Sequence, residues 1–469
     1  MPHKLKTKDG NMTIRKREDI LSRIAIQVPE EGSSMEINKL RKLDFSLLYE
    51  AFEKRRMDKK ALQAFIQKDV EWRKKLTELE NLRSEKNRVS KQISKSNDRE
   101  TLLVEAKEID EKRSKCEAEQ RILQNERENL LMALPNLIDI GVPSDDAKVT
   151  GYVGTPKVGV GKEEEFKARY PELDFTVLKG VMSQYDIIKT FKLTDEEMGA
   201  ELSGMRFYYK TNELVLLDLA LSLHATKKLA ERGFKLITPP YLVKRAVEEG
   251  ATSLDAFQES IYKIEGEDLY LIPTAEHPIA AYNSNKVLSE QSLPLRYVGF
   301  SPAFRKEVGA HGKDTKGIYR NHHFNKVEQY VICKPEQAEA EFNLLVQNQV
   351  ELLRDIGIPL RVTILPAWDM DKKAMMQADV EGWWPAQNKY NELGSHGYMG
   401  SWQAARLNIK YAVKGKAQNQ LTHTIYGTGI AIERTLACML ENSIGEDGVI
   451  KVPKVLTDYT GITEIKPVQ

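Results

Sequence analysis

Arg305 and Glu307 stand two residues apart in a short charged block that follows an apolar stretch. A polar, glycine-rich segment comes next at 308–317, and the chain returns through Phe324 to the strand-like residues 326–331. This pattern predicts two antiparallel strands joined by a long functional loop. The planar guanidinium of arginine holds a phosphate or a carboxylate through two hydrogen bonds, which lysine cannot do. Taken alone, the block also fits a surface hairpin with a salt bridge.

Further blocks place polar groups beside apolar strands, at distances along the chain that one active site would need. Thr274 and Glu276 put a hydroxyl and a carboxylate just after an apolar strand. Residues 427–436 run from a glycine-flanked strand end into a helix that contains an arginine. Between these blocks lie Trp-Trp-Pro-Ala-Gln-Asn at 383–388 and the polar stretch 392–395. The charged block at Arg305 and Glu307 is therefore one of several polar segments that could form one site.

The order of these blocks resembles the class II aminoacyl-tRNA synthetases, and among them the seryl-tRNA synthetase family. The matching segments are motif 1 (Pro239-Pro240 after 234–238), the amino-acid loop Thr-Ala-Glu at 274–276, motif 2 (304–307 with Asp-Thr-Lys-Gly at 314–317), Pro-Ala-Gln-Asn at 385–388, and motif 3 (427–429 with Glu-Arg-Thr-Leu at 433–436). Any one of them is a weak signal, whereas the ordered set is specific. The resemblance spans roughly residues 35–469.

The resemblance implies a reaction in two steps. The carboxylate of an amino acid attacks the α-phosphate of ATP, and the terminal ribose hydroxyl of tRNA then attacks the carbonyl of the adenylate. Both transition states gather negative charge on oxygen atoms, so fixed cations matter more than a general base. Carried onto this chain, the catalytic residues are Arg305, which would bridge carboxylate and α-phosphate, and Arg434, which would grip the polyphosphate or cover the nucleotide.

The resemblance also implies ATP-binding residues: Arg305, Lys306, Glu307, Phe324, Glu392, Leu393, Gly394, Ser395 and Arg434. Glu307 would accept from the adenine amino group and Phe324 would stack on the ring, with a core position as the alternative for Phe324. For Arg434 the alternative is an ion pair on a helix surface. Glu392 and Ser395 offer oxygen ligands for magnesium that accompanies ATP, and a helix cap is the alternative for Ser395.

The serine-binding residues implied in the same way are Thr274, Ala275, Glu276, Arg305, Glu328 and Thr428. Carboxylates suit an ammonium group, and a pocket that bonds a hydroxyl rejects analogues without one. Two segments depart from the family pattern: residues 392–398, usually Glu-Ile-Ser-Ser-Cys-Ser-Asn, and Tyr426, where asparagine is usual. A Tyr426 that points inward would reshape the pocket, and one that points outward would leave it unchanged; the sequence leaves both open.

The elements that hold these residues begin with a long helical segment. Residues 58–131 contain neither proline nor glycine, and apolar residues recur at near-heptad spacing on both sides of a polar turn at 94–98. This predicts an antiparallel two-stranded coiled coil, whose limbs of about 35 residues would reach roughly 50 Å. Residues 55–95 carry 13 basic and 6 acidic side chains (+7), whereas 98–131 carry 7 and 10 (−3). Besides salt bridges between the limbs, a basic limb suits a phosphate backbone, and the resemblance implies that the arm holds the long variable arm of serine-accepting tRNA.

The predicted fold class is α+β: an N-terminal antiparallel coiled-coil helical hairpin and a class II synthetase catalytic domain on an antiparallel β-sheet. The predicted domains are an N-terminal extension at 1–34, the tRNA-binding helical arm at 35–134, a connector rich in proline and glycine at 135–182, and the catalytic domain at 183–469. Within the catalytic domain we expect a turn into a strand at 203–209, a long amphipathic helix at 213–232 and a strand at 234–238.

Composition excludes several classes of protein. Hydrophobic residues make up 41% and charged residues 30% of the 469 residues, and no run of about eighteen apolar residues could span a membrane. The three cysteines are far apart in the sequence, and His311, His322 and His323 lack a ligand pattern, so we predict no zinc site. Few cysteines fit a reducing, cytoplasmic setting. Residues 1–34 are basic but lack an apolar signal core, which does not favour a transit peptide.

We therefore predict a cytoplasmic, homodimeric ligase that uses ATP and magnesium to attach serine to its tRNA and, where present, to selenocysteine tRNA. One alternative is a paralogue that activates another small amino acid or loads a different carrier, although the retained arm argues against a protein carrier. A second alternative is a non-catalytic RNA-binding protein. Arginines and carboxylates suited to ATP argue against it, since they would have no reason to occur together without the nucleotide.

Overall fold

The computed structural model describes residues 45–93, 98–253, 260–307, 316–415 and 417–468. These residues form two compact units, one ending at Pro135 and the other beginning at Asn136. The predicted N-terminal extension at 1–34 and the first residues of the predicted arm lie outside the described residues. No described helix combines the length and the apolar character needed to cross a lipid bilayer.

The first unit is the predicted helical arm. Its helices are α1 (Ser46–Lys54), α2 (Lys60–Ile93) and α3 (Arg99–Ala133). The long helices α2 and α3 have 34 and 35 residues, and their cross-helix ion pairs run in opposite directions along the two sequences: Lys68–Glu126, Lys75–Glu119, Arg83–Glu117 and Lys86–Asp110. The apolar stripe lies in the seam, with Trp72, Leu79, Val89, Ile109, Cys116 and Leu131 buried. The antiparallel hairpin is confirmed.

The second unit contains most of the secondary structure. Its strands are β1 (Lys148–Val153), β2 (Lys157–Gly159), β3 (Thr176–Leu178), β4 (Thr194–Asp195), β5 (Tyr209–Lys210), β6 (Lys235–Ile237), β7 (Leu242–Val243), β8 (Tyr270–Leu271), β9 (Val287–Ser289), β10 (Leu295–Phe304), β11 (His323–Cys333), β12 (Leu360–Ile364), β13 (Met376–Trp384), β14 (Lys389–Tyr398), β15 (Lys410–Ala412), β16 (Gln420–Leu421), β17 (His423–Ala431), β18 (Ile450–Lys451) and β19 (Glu464–Ile465). Its helices are α4 (Glu163–Arg169), α5 (Gln184–Thr190), α6 (Glu196–Ser203), α7 (Glu213–Glu231), α8 (Arg245–Ala251), α9 (Glu276–Ala281), α10 (Ala338–Asp355), α11 (Trp402–Leu407), α12 (Ile432–Ser443) and α13 (Lys454–Thr460), with 3-10 turns at Glu290–Ser292 and Pro335–Gln337.

One large sheet organises this unit. Its strand order within the described residues is β1-β12-β13-β14-β17-β11-β10-β6, with antiparallel neighbours except for the parallel pair β10 and β6. Successive side chains of a strand point to opposite faces. Along β11, Val327 and Val331 join the main core with helices α7, α10 and α12, whereas Lys326 and Glu328 point to the other face. That other face carries most of the polar residues that the sequence predicts to act together.

The expected helix at 213–232 is observed as α7, and the expected strands at 234–238 and 326–331 are observed as β6 and β11. Residues 136–182 of the predicted connector do not form a separate linker, because they belong to the same compact unit as the catalytic domain. Its strand β1 pairs with β12 at the edge of the large sheet, and Phe166 of α4 packs against Trp383 with ring centroids 5.2 Å apart. Glycine and proline here mark turns between short elements, a pattern that looks like a linker when only the sequence is seen.

Candidate active site

A cavity of about 300 Å³ lies on the polar face of the large sheet. Most of the residues predicted to act together line it: Thr274, Glu276, Arg305, Glu307, Phe324, Glu392, Leu393, Gly394, Ser395, Thr428 and Arg434. They come from β11, β14, β17, the segment just after β10, and the starts of α9 and α12, so the sheet brings together segments that are far apart in the sequence. Of the predicted residues, Ala275, Lys306 and Glu328 are not part of this lining.

Arg305 follows directly on the end of β10, where the antiparallel pair of β10 and β11 places Phe324 opposite Ala303. Its Nε donates to the carbonyl of Pro273 at 3.2 Å, and its guanidinium carbon lies 5.2 Å from the centroid of the Phe324 ring. A cation held over an aromatic face is stabilised by the ring quadrupole. Arg305 is therefore held at the cavity wall and not on the outer surface that the alternative of a salt-bridged surface hairpin would require.

The two residues after Arg305 diverge. Glu307 lines the cavity, with Oε2 3.4 Å from Nη1 of Arg320. Lys306 does not line it, because its Nζ lies over the ring of Tyr262 at 6.0 Å and its backbone amide donates to Ser260. Regular strand geometry does not continue here, since β10 ends at Phe304 and Glu307 has a positive φ of 50°. The prediction that Lys306 contacts ATP is thus not supported by its position, and residues 308–315 of the motif 2 loop lie outside the described residues.

Arg305, Glu392 and Arg434 form what we call the arginine cluster. Nη1 of Arg434, in the first turn of α12, lies 3.0 Å from Oε1 of Glu392, and its guanidinium carbon lies 4.9 Å from the Tyr319 ring centroid. Partial removal from water in the cavity disfavours the charged carboxylate, but Arg434, Arg305 and Lys326 hold the pKa of Glu392 below its ordinary value. The ion pair predicted as an alternative for Arg434 exists, yet it lies at the cavity and not on an outer surface.

A β-bulge explains how Glu392 and Ser395 share one face. Val380 pairs with Gly394 and Glu381 with Glu392, which leaves Leu393 as the extra residue of β14. On a regular strand, the side chains of two residues that are three positions apart point to opposite faces. The extra residue of the bulge brings Glu392 and Ser395 to the same face. Ser395 lies within this strand and its Oγ accepts from Nε2 of Gln377 at 2.8 Å, so the helix-cap alternative is wrong. Glu392 and Ser395 both present to the cavity oxygen atoms of the kind that a hard cation binds. The described residues include no group of three or more His, Cys, Asp or Glu arranged around a metal position.

Thr274 and Lys326 line the cavity in front of a buried carboxylate. Oγ1 of Thr274 donates to Oε2 of Glu328 at 2.7 Å, and Nζ of Lys326 forms an ion pair with the same carboxylate. Burial raises the pKa of Glu328 despite the nearby lysine. Glu328, predicted to contact the amino acid, therefore lies one layer behind the surface because the pair of Thr274 and Lys326 covers it.

Glu276, Lys373 and Gln403 form a second buried group, which we call the Glu276 cluster. Oε1 of Glu276 accepts from Nζ of Lys373 at 2.7 Å and from Nε2 of Gln403 at 2.8 Å. Burial alone would raise the pKa of the Glu276 carboxyl, but Lys373 and the other partners hold it below its ordinary value. Glu276 is therefore ionised at the cavity wall.

Tyr426 points inward. It is only 7% exposed, it lines the cavity, and its ring centroid lies 4.8 Å from Nζ of Lys373. Gly397 is its direct partner on the neighbouring strand, and a Cβ on Gly397 would lie 2.2 Å from Cε1 of Tyr426. The two departures from the family pattern therefore belong together, since the missing side chain at 397 makes room for the ring at 426.

Ala275 and Thr428 are both predicted to bind serine, but only Thr428 lines the cavity. Ala275 packs towards the sheet, where a Cβ on Gly299 would lie 3.4 Å from the Ala275 Cβ, so its small size serves helix-to-sheet packing and not the cavity wall. Thr428 lines the cavity as predicted, and its Oγ1 accepts from the Ser395 amide at 3.3 Å.

Comparison with protein families decides what this cavity belongs to. Residues 35–138 match the seryl-tRNA synthetase N-terminal domain, and residues 260–443 match the tRNA synthetase class II core domain shared by the enzymes for G, H, P, S and T. A serine–tRNA ligase of Pyrococcus horikoshii is 39% identical over 420 residues, which is 87% of this chain and 92% of that protein. One of Thermococcus onnurineus is 41% identical over 418 residues, with the same shares covered. The chain belongs to the seryl-tRNA synthetase family.

Solved structures of this family agree with the fold. The seryl-tRNA synthetase of Pyrococcus horikoshii complexed with ATP superposes with a TM-score of 0.88 at 38% identity, covering 93% of this chain and all of that one. The cytoplasmic serine–tRNA ligase of Naegleria fowleri in complex with AMP gives a TM-score of 0.81 at 29% identity, covering 94% and 100%. The predicted combination of helical arm and class II synthetase sheet is confirmed.

Sequence reasoning missed several residues that complete this synthetase cavity: Ser260, His277, Tyr319, Arg320, Lys326, Lys373, Gln377 and Glu433. Lys326 begins the strand-like segment 326–331 and Glu433 lies in motif 3, so both could have been named from their neighbours. Lys373 carries no such signal, because it is 97 residues from Glu276 in a segment without periodicity.

Glu433 shows how one of the missed residues supports a predicted one. Nζ of Lys210 pairs with the buried carboxylates of Glu433 (2.5 Å) and Asp218, and Oε2 of Glu433 accepts from the Asn325 amide at 2.8 Å. Burial raises the pKa of Glu433 to about 7. This network ties the start of α12 to β11 and fixes the backbone beside Arg434.

Proposed function

We propose that this cavity joins serine to ATP as seryl-adenylate and that the enzyme then moves the seryl group to tRNA. The chain is a class II serine–tRNA ligase by family, and the roles of individual residues are our proposal. The observation that supports the roles is that Arg305 and Arg434 share one cavity with Glu276 and Thr428. Guanidinium groups suit phosphates, and a carboxylate beside a hydroxyl suits an amino acid such as serine.

Arg305 would bring two anions together. The carboxylate of serine is already ionised at neutral pH, so it can attack the α-phosphate without a general base. The obstacle is repulsion between carboxylate and phosphate, and the forked guanidinium of Arg305 can bond both. Charge that develops on the phosphate oxygens in the transition state is then met by a cation already in place.

Arg434, Phe324 and Glu307 would hold the nucleotide. Arg434 is kept at the cavity by Glu392 and by the Tyr319 ring, which fixes a second cation for the polyphosphate. Phe324 presents an aromatic face beside Arg305 on which an adenine ring could stack. Glu307 supplies the carboxylate that accepts from the adenine amino group.

Glu392 and Ser395 are the residues that would hold magnesium. They fit a hard cation because both present oxygen atoms on the same face of β14, and because the Glu392 side chain, 43% exposed, is open to the cavity and ionised. When bound, the cation would neutralise charge on the phosphates of ATP.

The serine-binding residues are proposed to be Thr274, Glu276 and Thr428 at the surface, with Glu328 acting through Thr274 and Lys326. Ionised Glu276 attracts the substrate ammonium group. The hydroxyl oxygen of Thr428 accepts from the Ser395 amide, and we propose that this hydroxyl bonds the hydroxyl of serine. The inward ring of Tyr426 limits the size of the side chain that fits.

The helical arm is proposed to bind the long variable arm of serine-accepting tRNA. Its two long helices contribute little to a globular core, and the limb at 55–95 carries the excess of positive charge. Double-stranded RNA is recognised chiefly by shape and by its phosphates, which suits a charged rod.

We place the enzyme in the cytoplasm. Its three cysteines, Cys116, Cys333 and Cys438, are buried and free. Free thiols persist in compartments kept reducing, which supports this location.

Exchange of pyrophosphate into ATP, measured with each of the twenty amino acids, tests the proposed reaction. We expect serine to support exchange at least about a hundredfold better than alanine or glycine, because the cavity's hydroxyl partners would be left unpaired by them. Exchange is expected to be lost when magnesium is removed with a chelator. Better exchange with a different amino acid, or none with any, would overturn the assignment of the cavity.

The enzyme is also proposed to be a homodimer, formed through the motif 1 region. One face of α7 exposes Leu216, Leu219 and Leu223, and Leu236 of the neighbouring edge strand β6 is exposed as well, all between 46% and 60%. Contiguous exposed apolar residues beside an open strand edge are typical of subunit interfaces. A second copy of the chain is the occupant that we propose, in a twofold arrangement.

Replacing Leu219 and Leu223 together with glutamate is expected to convert the dimer into monomers in sedimentation velocity, because two charges would then enter the apolar interface. The matched control is Leu202→Glu, an exposed leucine on α6, which should leave the dimer intact. A wild-type enzyme that sediments as a fully active monomer would contradict the proposal.

A further inference from the structure

We propose that Lys373 is a positioning residue for the amino acid: it fixes the Glu276 carboxylate so that one oxygen stays available for the substrate ammonium group. This rests on the proposed function of the cavity. It adds a residue that none of the synthetase motifs contains.

The geometry divides the two oxygens of Glu276 between different tasks. Oε1 accepts both from Nζ of Lys373 and from Nε2 of Gln403. Gln403 is itself fixed, since its Oε1 accepts from the Tyr330 hydroxyl at 2.6 Å and its Nε2 also donates to the Ala251 carbonyl at 2.8 Å. No described residue donates a hydrogen bond to Oε2. Two donors thus clamp one oxygen, and the other is left for a ligand.

Burial makes the lysine necessary. Glu276 is only 4% exposed, and Lys373 only 3%. A carboxylate so far from water tends to bind a proton unless a cation lies beside it. A neutral carboxylic acid would attract an ammonium group far less, so Lys373 maintains the charge that the substrate needs.

Lys373 is shared between two carboxylates. Nζ of Lys373 lies 2.7 Å from Glu276 and 3.6 Å from Oδ2 of Asp371, so one cation faces two carboxylates. The ammonium group of serine would bring a second cation to them. The ring of Tyr426 lines the cavity beside Lys373, with its centroid 4.8 Å from Nζ.

The alternative hypothesis is that Lys373 competes with the ammonium group of serine for the Glu276 carboxylate. The two roles predict opposite signs when the lysine is removed. Loss of a competitor would lower the KM for serine, whereas loss of a positioning residue would raise it.

The test compares Lys373→Met, Glu276→Gln and the double variant by pyrophosphate exchange. We expect Lys373→Met to raise the KM for serine about tenfold or more, with kcat and the KM for ATP changed less than threefold. The double variant should be no worse than the more affected single variant, because both changes remove one interaction. A lower or unchanged KM for serine in Lys373→Met would overturn the proposal.

A ligand without the ammonium group separates positioning from general damage to the cavity. The inhibition constant of 3-hydroxypropionate, which keeps the carboxylate and the hydroxyl of serine, should change less than threefold in Lys373→Met. An equal loss of affinity for serine and for 3-hydroxypropionate would show a merely structural role and overturn the proposal.

Gln403→Met provides the variant that keeps the lysine, in case Lys373→Met does not fold. It removes one of the two donors to Oε1 and is expected to raise the KM for serine about threefold, again without an effect on 3-hydroxypropionate; an unchanged KM would count against the clamp. If the wild-type enzyme shows no exchange with serine, the proposed function fails. If it shows exchange and the variants do not respond as stated, only the role of Lys373 fails.

Discussion

Replacing Arg305 with alanine is expected to lower serine-dependent pyrophosphate exchange by about three orders of magnitude. The guanidinium at the wall of the cavity is proposed to bond two anions at once, and losses of this size follow the removal of a cation that acts on a transferring phosphoryl group. Arg305→Lys keeps the charge but loses the fork, so we expect an intermediate loss. The measurement is the exchange rate at saturating ATP and serine.

The matched control is an arginine on the same strand that does not reach the cavity. Arg296 of β10 forms a two-pronged ion pair with Glu341, at 2.7 and 2.6 Å. Arg296→Ala is expected to retain exchange within about threefold while lowering the midpoint of thermal unfolding, because it leaves Glu341 without its partner. An Arg305→Ala enzyme that folds and keeps more than about a tenth of the wild-type rate would remove Arg305 from the mechanism.

Shortening the arm is expected to separate the two steps of the reaction. The cross-helix pair Lys75–Glu119 shows where the helices can be joined in register, so residues 76–118 can be replaced by a short glycine-rich turn. The catalytic unit forms its own core, so we expect exchange to stay within about twofold of wild type. Attachment of serine to tRNA is expected to fall at least about a hundredfold, because the contact with the RNA backbone is lost.

A smaller deletion makes the result more specific. Removal of residues 87–109 keeps the pair Lys86–Asp110 next to the new turn and takes away only the outer part of the arm. We expect an intermediate loss of aminoacylation if reach is what matters. Normal charging of tRNA by the shorter arm would contradict the proposed contact.

The arm and the arginine cluster show what a sequence can predict. A heptad stripe over more than 30 residues specifies a helical hairpin because each apolar position must face its partner. Arg305, Glu392 and Arg434 lie in ordered motifs, and the structure brings them to one cavity. Both are cases in which local sequence carries the information.

Lys373 and Glu328 show where such reasoning ends. Lys373 meets Glu276 only because a loop before β13 passes the start of α9, a contact between residues 97 apart that has no periodic signal. Glu328 has the expected identity, but the depth at which it lies depends on the side chains of Thr274 and Lys326 in front of it. The direction of the Lys306 side chain, which lies over the Tyr262 ring and not in the cavity, was also not predictable from the motif.

The cross-strand contact between Gly397 and Tyr426 also sets a rule for redesign of this enzyme. A serine restored at 397 alone would place its Cβ 2.2 Å from the aromatic carbon Cε1 and could not be accommodated without movement of the ring. An asparagine restored at 426 alone would leave a hollow beside a residue with no side chain to fill it. Gly397 and Tyr426 therefore form a matched couple in this enzyme, and we expect that a double exchange at 397 and 426 will cost less stability than either single exchange.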